Sequence, residues 1–165
     1  MNNHWEIIAE TLRAELVDYG ALMNLFDQQQ RSLFARDADS VLSLGLAIET
    51  QTRTLAERRS HREQTVASFA LREGRPANST LRSLIPLIAA DARPLVEALM
   101  DEVNRLIHRL RRISRHNHTL LSHAVETHQE LLQQLRPNSF TKTYSPAGRV
   151  SVASADSAST LRVAG

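Results

Sequence analysis

Seven histidines hold most of the ligand chemistry open to this 165-residue chain, and their spacing leaves them little of it. His116 and His118 are two residues apart, which turns them to different faces of a helix. His118, His123 and His128 step by five, not by the four that stacks two helical ligands, and no HExxH occurs. The chain has no cysteine, which excludes thiolate metal sites, cysteine nucleophiles and disulfides. The histidines therefore read as solvated surface groups, with no metal and no cofactor expected. Glu6, Glu10, Asp18, Glu49, Glu57 and Glu63 read as scattered helix-surface acids with no convergent pair. No phosphate-cradling glycine loop or nucleophile signature is present, so the residues point away from an enzyme.

The strongest charge concentration is RLIHRLRRISRH, residues 105–116. Helical spacing puts Arg105, Arg109, Arg112 and His116 on one face, where they could meet phosphates. Two facts favour a solvated face or an acidic protein partner instead. No aromatics interleave with the arginines, and 20 basic residues against 18 acidic ones leave a net charge of only +2. A nucleic-acid-associated coiled coil using the Arg105–Arg115 face stays as an alternative; nucleic acid is not the expected partner.

Long helices must position these groups. Leu, Ala, Arg, Glu and Gln dominate the chain, and all favour helix. Trp5, Ile8, Leu12, Leu16, Tyr19, Met23, Phe26 and Leu33 form one stripe at three- and four-residue steps, with a final step of seven. A turn is expected near residues 36–40, with Asp37 or Asp39 capping a second helix from about Ser40 to Leu71. Thr52, Arg59 and Arg62 interrupt the stripe of that helix. Gly74 suits its C-terminus, and Asn78 or Ser79 suits the next N-cap. A short helix over residues 80–90 should kink or split at Pro86, and Pro94 belongs in the first turn of the next helix. That last helix is the most regular. Val96, Leu99, Val103, Leu106, Leu110, Ile113, Asn117, Leu120, Ala124, Thr127 and Leu131 make a coiled-coil-like seam. Leu121, Leu132 and Leu135 widen its apolar face. A buried Asn117 would either fix register or bond to a neighbouring helix.

The expected fold class is all-α: an antiparallel bundle of three long helices, a short kinked connector and a flexible C-terminal tail. The helical domain covers residues 1–136. Residues 137–165 form the tail, rich in Ser, Ala and Thr after the stop at Pro137. Within it, segment 140–150 carries Phe140, Tyr144 and a turn at Ser145-Pro146-Ala147-Gly148. The N-terminus lacks a secretory pattern, and no run of eighteen apolar residues suggests membrane insertion. With the missing cysteines, this fits the cytoplasm. The seam suits an intramolecular bundle, a homodimer or a partner complex equally well.

The C-terminal text NHTLLSHAVETHQELLQQLRPNSFTKTYSPAGRVS resembles the FlgN family of flagellar type III export chaperones. The likeness lies in Asn117 with Leu120 and Leu121, the leucine-rich helix end, and the tail residues Tyr144, Gly148 and Arg149. The segments around Leu16–Leu22 and Leu55–Arg59 are also similar, so the resemblance spans about residues 5–150. It implies a non-catalytic cytoplasmic chaperone. Such a protein binds hook-associated proteins by their terminal helices, prevents premature assembly and delivers them to the export gate. On that reading Asn117, Leu120, Leu121, Leu131, Leu132 and Leu135 bind cargo, and Phe140, Tyr144, Gly148 and Arg149 dock at the gate. A different helical secretion chaperone or adaptor is the alternative of the same kind.

Overall fold

The computed structural model describes residues 4–135, together with the backbone of 140–144 and 150–154. Helix α1 spans His4–Ala35 and α2 spans Ala38–Arg72. Helix α3 is one turn, Leu81–Leu84, followed by a 3₁₀ turn at Ile85–Leu87; α4 runs Arg93–Leu135. Strands β1, Phe140–Tyr144, and β2, Val150–Ser154, pair antiparallel, with Phe140 opposite Ser154 and Tyr144 opposite Val150. The described residues thus form three long helices and a short split connector, the all-α class that periodicity predicts. The strand pairing was not foreseen. Pro137, Gly148, Arg149 and the expected turn at 145–148 lie outside the described residues.

Only two residues join α1 to α2. Arg36 adopts φ 57°, which reverses the chain. Its N–H donates to the Leu33 carbonyl at 3.2 Å, and the Asp37 N–H donates to the Ser32 carbonyl at 3.0 Å. Two carbonyls left open at the end of α1 are thereby satisfied. Asp37 then starts the next helix, its carboxylate accepting from the Ser40 N–H at 3.1 Å and the Ser40 hydroxyl at 2.6 Å. These bonds hold the Asp37 carboxyl below its ordinary range. Of the two acids proposed from sequence, Asp37 is the cap. At the far end of α2, Gly74 at φ 68° closes the same kind of motif, through Gly74 N–H to Leu71 O and Arg75 N–H to Ala70 O. The cap of α3 is Thr80 and not Asn78 or Ser79; its hydroxyl accepts from the Ser83 N–H. Pro86 splits the connector as expected, and Pro94 lies in the first turn of α4.

The two units of the chain are Met1–Leu120 and Leu121–Gly165. In the first, Ile8, Leu12, Tyr19 and Leu22 of α1 pack with Leu55, Val66 and Phe69 of α2. Leu84, Ile88 and Ala92 of the connector and Val96 and Val103 of α4 complete that core. One buried residue of α1 is neither apolar nor aromatic. Glu15 lies between Leu12 and Tyr19, where the helical step demands a core residue, and it is fully buried. Arg62 of α2 answers it, with Nε 3.2 Å from Oε1. This is an ion pair by distance, but its angle misses a hydrogen bond, so both carboxylate oxygens lack a donor among the described residues. Burial pushes the Glu15 carboxyl up, and the pull of Arg62 and then Arg59 does not cancel it. Asp18, expected on the surface, is instead an α1–α2 clamp: its carboxylate accepts from Arg58 Nε at 3.1 Å and from Gln51 Nε2 at 3.3 Å. Arg62, which looked like an interruption of the α2 stripe, is the counterpart of a charge inside the core.

Two outcomes follow. Arg36→Gly removes a side chain from left-handed backbone, and urea unfolding should show a gain of roughly 0.5–1 kcal/mol; a loss would mean that the Arg36 side chain stabilises the turn. Glu15 binds a proton in the fold before it does in the unfolded chain. Its contribution to stability therefore grows as pH falls towards the ordinary value of 4.5 and levels off below it. The Tm difference between Glu15→Gln and the parent should move in the parent's favour as the pH is lowered through that window. A difference independent of pH would show that burial does not govern this carboxyl.

Candidate functional site

The α4 seam divides at Asn117. Val96, Val103 and Asn117 are buried, while Leu99, Leu106, Leu110 and Ile113 between them are half-buried. The Asn117 amide nitrogen donates to the Phe26 carbonyl at 2.8 Å and lies 3.3 Å from Gln29 Oε1. Two acceptors fix the orientation of the amide, and its Oδ1 has no donor among the described residues. Asn117 is thus an interior amide tying α4 to the backbone of α1. At 2% exposure it can act on a partner only by holding the helix in place.

The seam beyond it emerges. Leu120 is half-buried, Leu121 is 38% exposed, Leu131 and Leu132 are about half exposed, and Leu135 reaches 78%. Val125, 47% exposed, was missed from sequence and joins them. Leu121, Val125, Leu132 and Leu135 follow steps of four, seven and three, so they share a helix face. Its four-residue step from Leu121 was the signal that could have found Val125. Polar groups beside this strip include His123 and Glu126, whose Nδ1 and Oε2 are 3.5 Å apart. Leucines held at such exposure each withhold about 1–2 kcal/mol of hydrophobic free energy until something covers them.

The tail residues divide. Phe140 and Tyr144 are the first and last residues of β1, and their backbone pairs with β2. The basic face is only partly free: Arg105 pairs with Glu102 at 2.9 Å, while Arg109, Arg112 and His116 are exposed. Among the described residues, no group of three His, Cys, Asp or Glu could hold a metal ion, and no helix is long and apolar enough to cross a membrane.

Along α4, a seam that is buried or half-buried up to Leu120 is followed by exposed leucines from Leu121 to Leu135. A family model described as FlgN protein matches residues 1–151. The chain belongs to that family. No curated protein and no solved structure matches it. FlgN proteins are non-catalytic chaperones of flagellar export that act in the cytoplasm, and this chain shares that general role. The FlgN match covers α1 to α4 and all of β1, and it ends at the second residue of β2. Chaperones of the FlgN family generally bind hook-associated proteins and the export apparatus.

Proposed function

We propose that the exposed end of α4 captures the terminal helices of hook-associated proteins, keeps them from assembling early and carries them to the flagellar type III export gate. The observation that carries this reading is the rise in leucine exposure from Leu121 to Leu135 along a helix whose earlier seam is buried or half-buried. A terminal helix that will be covered in the finished assembly exposes an apolar stripe beforehand. Leu121, Leu131, Leu132 and Leu135, with Val125, offer a stripe of matching kind. Leu120 precedes that stripe in sequence and is half-buried, and Asn117 bonds to the Phe26 carbonyl. Covering both stripes offsets the cost of ordering the cargo helix. Gate docking falls to the tail, through Phe140, Tyr144, Gly148 and Arg149. Its support is a segment with two aromatics, Phe140 and Tyr144, among small polar residues, side chains that a partner surface could cover.

The leucine face is tested by Leu121→Ala with Leu132→Ala. About 1 kcal/mol lost at each position predicts a weakening of hook-associated protein binding of roughly 30-fold. Helicity by circular dichroism should be unchanged, because both side chains are largely exposed. Parental affinity would overturn the assignment. Deleting residues 138–165 should leave the affinity for hook-associated proteins intact while lowering their export from cells. Equal export by the shortened chain would remove the tail from gate docking.

A further inference from the structure

We propose that the first unit, Met1–Leu120, carries a second docking surface: a groove between α2 and α4 that takes an acidic amphipathic helix of a partner protein. The groove has a volume of about 720 Å³. Tyr19, Leu22 and Phe26 of α1 form its floor, with Leu55 and Ile107 on the two sides. The floor residues lie at steps of three and four, and the α4 side runs from Ile107 to Arg115. At 1.5 Å per residue both spans are about 10–12 Å long, or two helical turns. Two turns of an incoming helix present three or four apolar side chains at i, i+3, i+4 and i+7.

Charge decides the occupant. Arg59 on the α2 side and Arg111 and Arg115 on the α4 side line the groove, with His108 beside them, and no carboxylate does. Five other arginines of this unit, Arg53, Arg58, Arg62, Arg82 and Arg105, each pair with an Asp or Glu; what sets the groove apart is three arginines gathered around one apolar floor. Arg59 and Arg111 have no ion pair among the described residues, and Arg115 Nε donates only to the Arg111 carbonyl, at 3.2 Å. Arg59 does feel Glu15, but that carboxylate stands against Arg62. Cations on both walls over an apolar floor complement a helix with an apolar stripe and acids on each flank. The tail of this chain has the wrong sign, with Arg136, Lys142, Arg149 and Arg162 against Asp156 alone. An apolar floor also offers nothing to a nucleic-acid backbone. This surface shares no residue with the leucine face and stands whether or not that reading holds.

The test uses the full chain and two synthetic helical peptides with one shared leucine stripe, flanked by Glu in one and by Lys in the other. Fluorescence anisotropy at low salt should show binding of the Glu peptide alone. Methyl NMR should place it at Leu22, Leu55 and Ile107. Arg111→Glu with Arg115→Glu should weaken it by about tenfold or more. The pair Arg111→Gln with Arg115→Gln gives a milder loss and serves if the Glu pair fails to fold. Failure of the Glu peptide to bind, equal binding of the Lys peptide, or undiminished binding by both variants would overturn the proposal. So would methyl shifts confined to Leu131 and Leu132, competition by duplex DNA, a dimer that depends on Arg111, or groove shifts on deleting residues 136–165.

Discussion

The two-residue connection at Arg36 and Asp37 is the constraint on which the first unit rests. It leaves α1 and α2 no choice but to run antiparallel, and it fixes their register at one end. Every cross-helix pair then follows. Asp18 meets Gln51 and Arg58, and Glu15 meets Arg62, because each step along α1 is matched by a step back along α2. A shift of one residue would turn Glu15 away from Arg62 and leave a charge alone in the core, a strongly unfavourable state. The polar pairs thus discriminate against slipped registers that leucine contacts alone would tolerate. The short turn works because one non-glycine residue accepts a left-handed conformation.

Helix α4 is put to two uses by one sequence pattern. Up to Asn117 the seam closes a core, and after it the same periodicity presents leucines to solvent. Asn117 marks the change chemically as well as by position. Its amide is bonded to the α1 backbone at Phe26, with the Gln29 side chain as a second, longer acceptor. On the proposed reading, the uncovered part is the apolar surface that cargo covers and later leaves. Half-exposed leucines suit that task better than a deep pocket, because less area is covered and release is less costly.

Much of this was legible in the sequence. The stripe of α1, the break at Gly74, the split at Pro86 and the seam of α4 all follow from spacing and from residues with restricted backbones. The leucine face was legible too, since Leu121, Leu132 and Leu135 widen a seam that was already complete. The hidden parts depend on which helix lies opposite. Glu15 sits on the core stripe by its own spacing, yet only Arg62, distant in sequence, makes its burial tolerable. Asp18 looked like a surface acid for the same reason. The Thr80 cap was misplaced by one or two residues because Asn78, Ser79 and Thr80 are all competent caps, and only the backbone path chooses. Strand pairing at 140–144 is set by contacts across the tail and leaves little mark on composition.

The same connection also orders events during synthesis. Loop closure between α1 and α2 spans two residues, whereas the Asn117–Phe26 bond joins positions 91 apart in the chain. The hairpin can therefore set while α4 is still in the ribosome, and α4 must dock onto a surface already formed. Until it does, the apolar side chains of Tyr19, Leu22 and Leu55 remain open to water. An export chaperone thus passes through an unfinished state of its own, and its last-made helix ends that exposure.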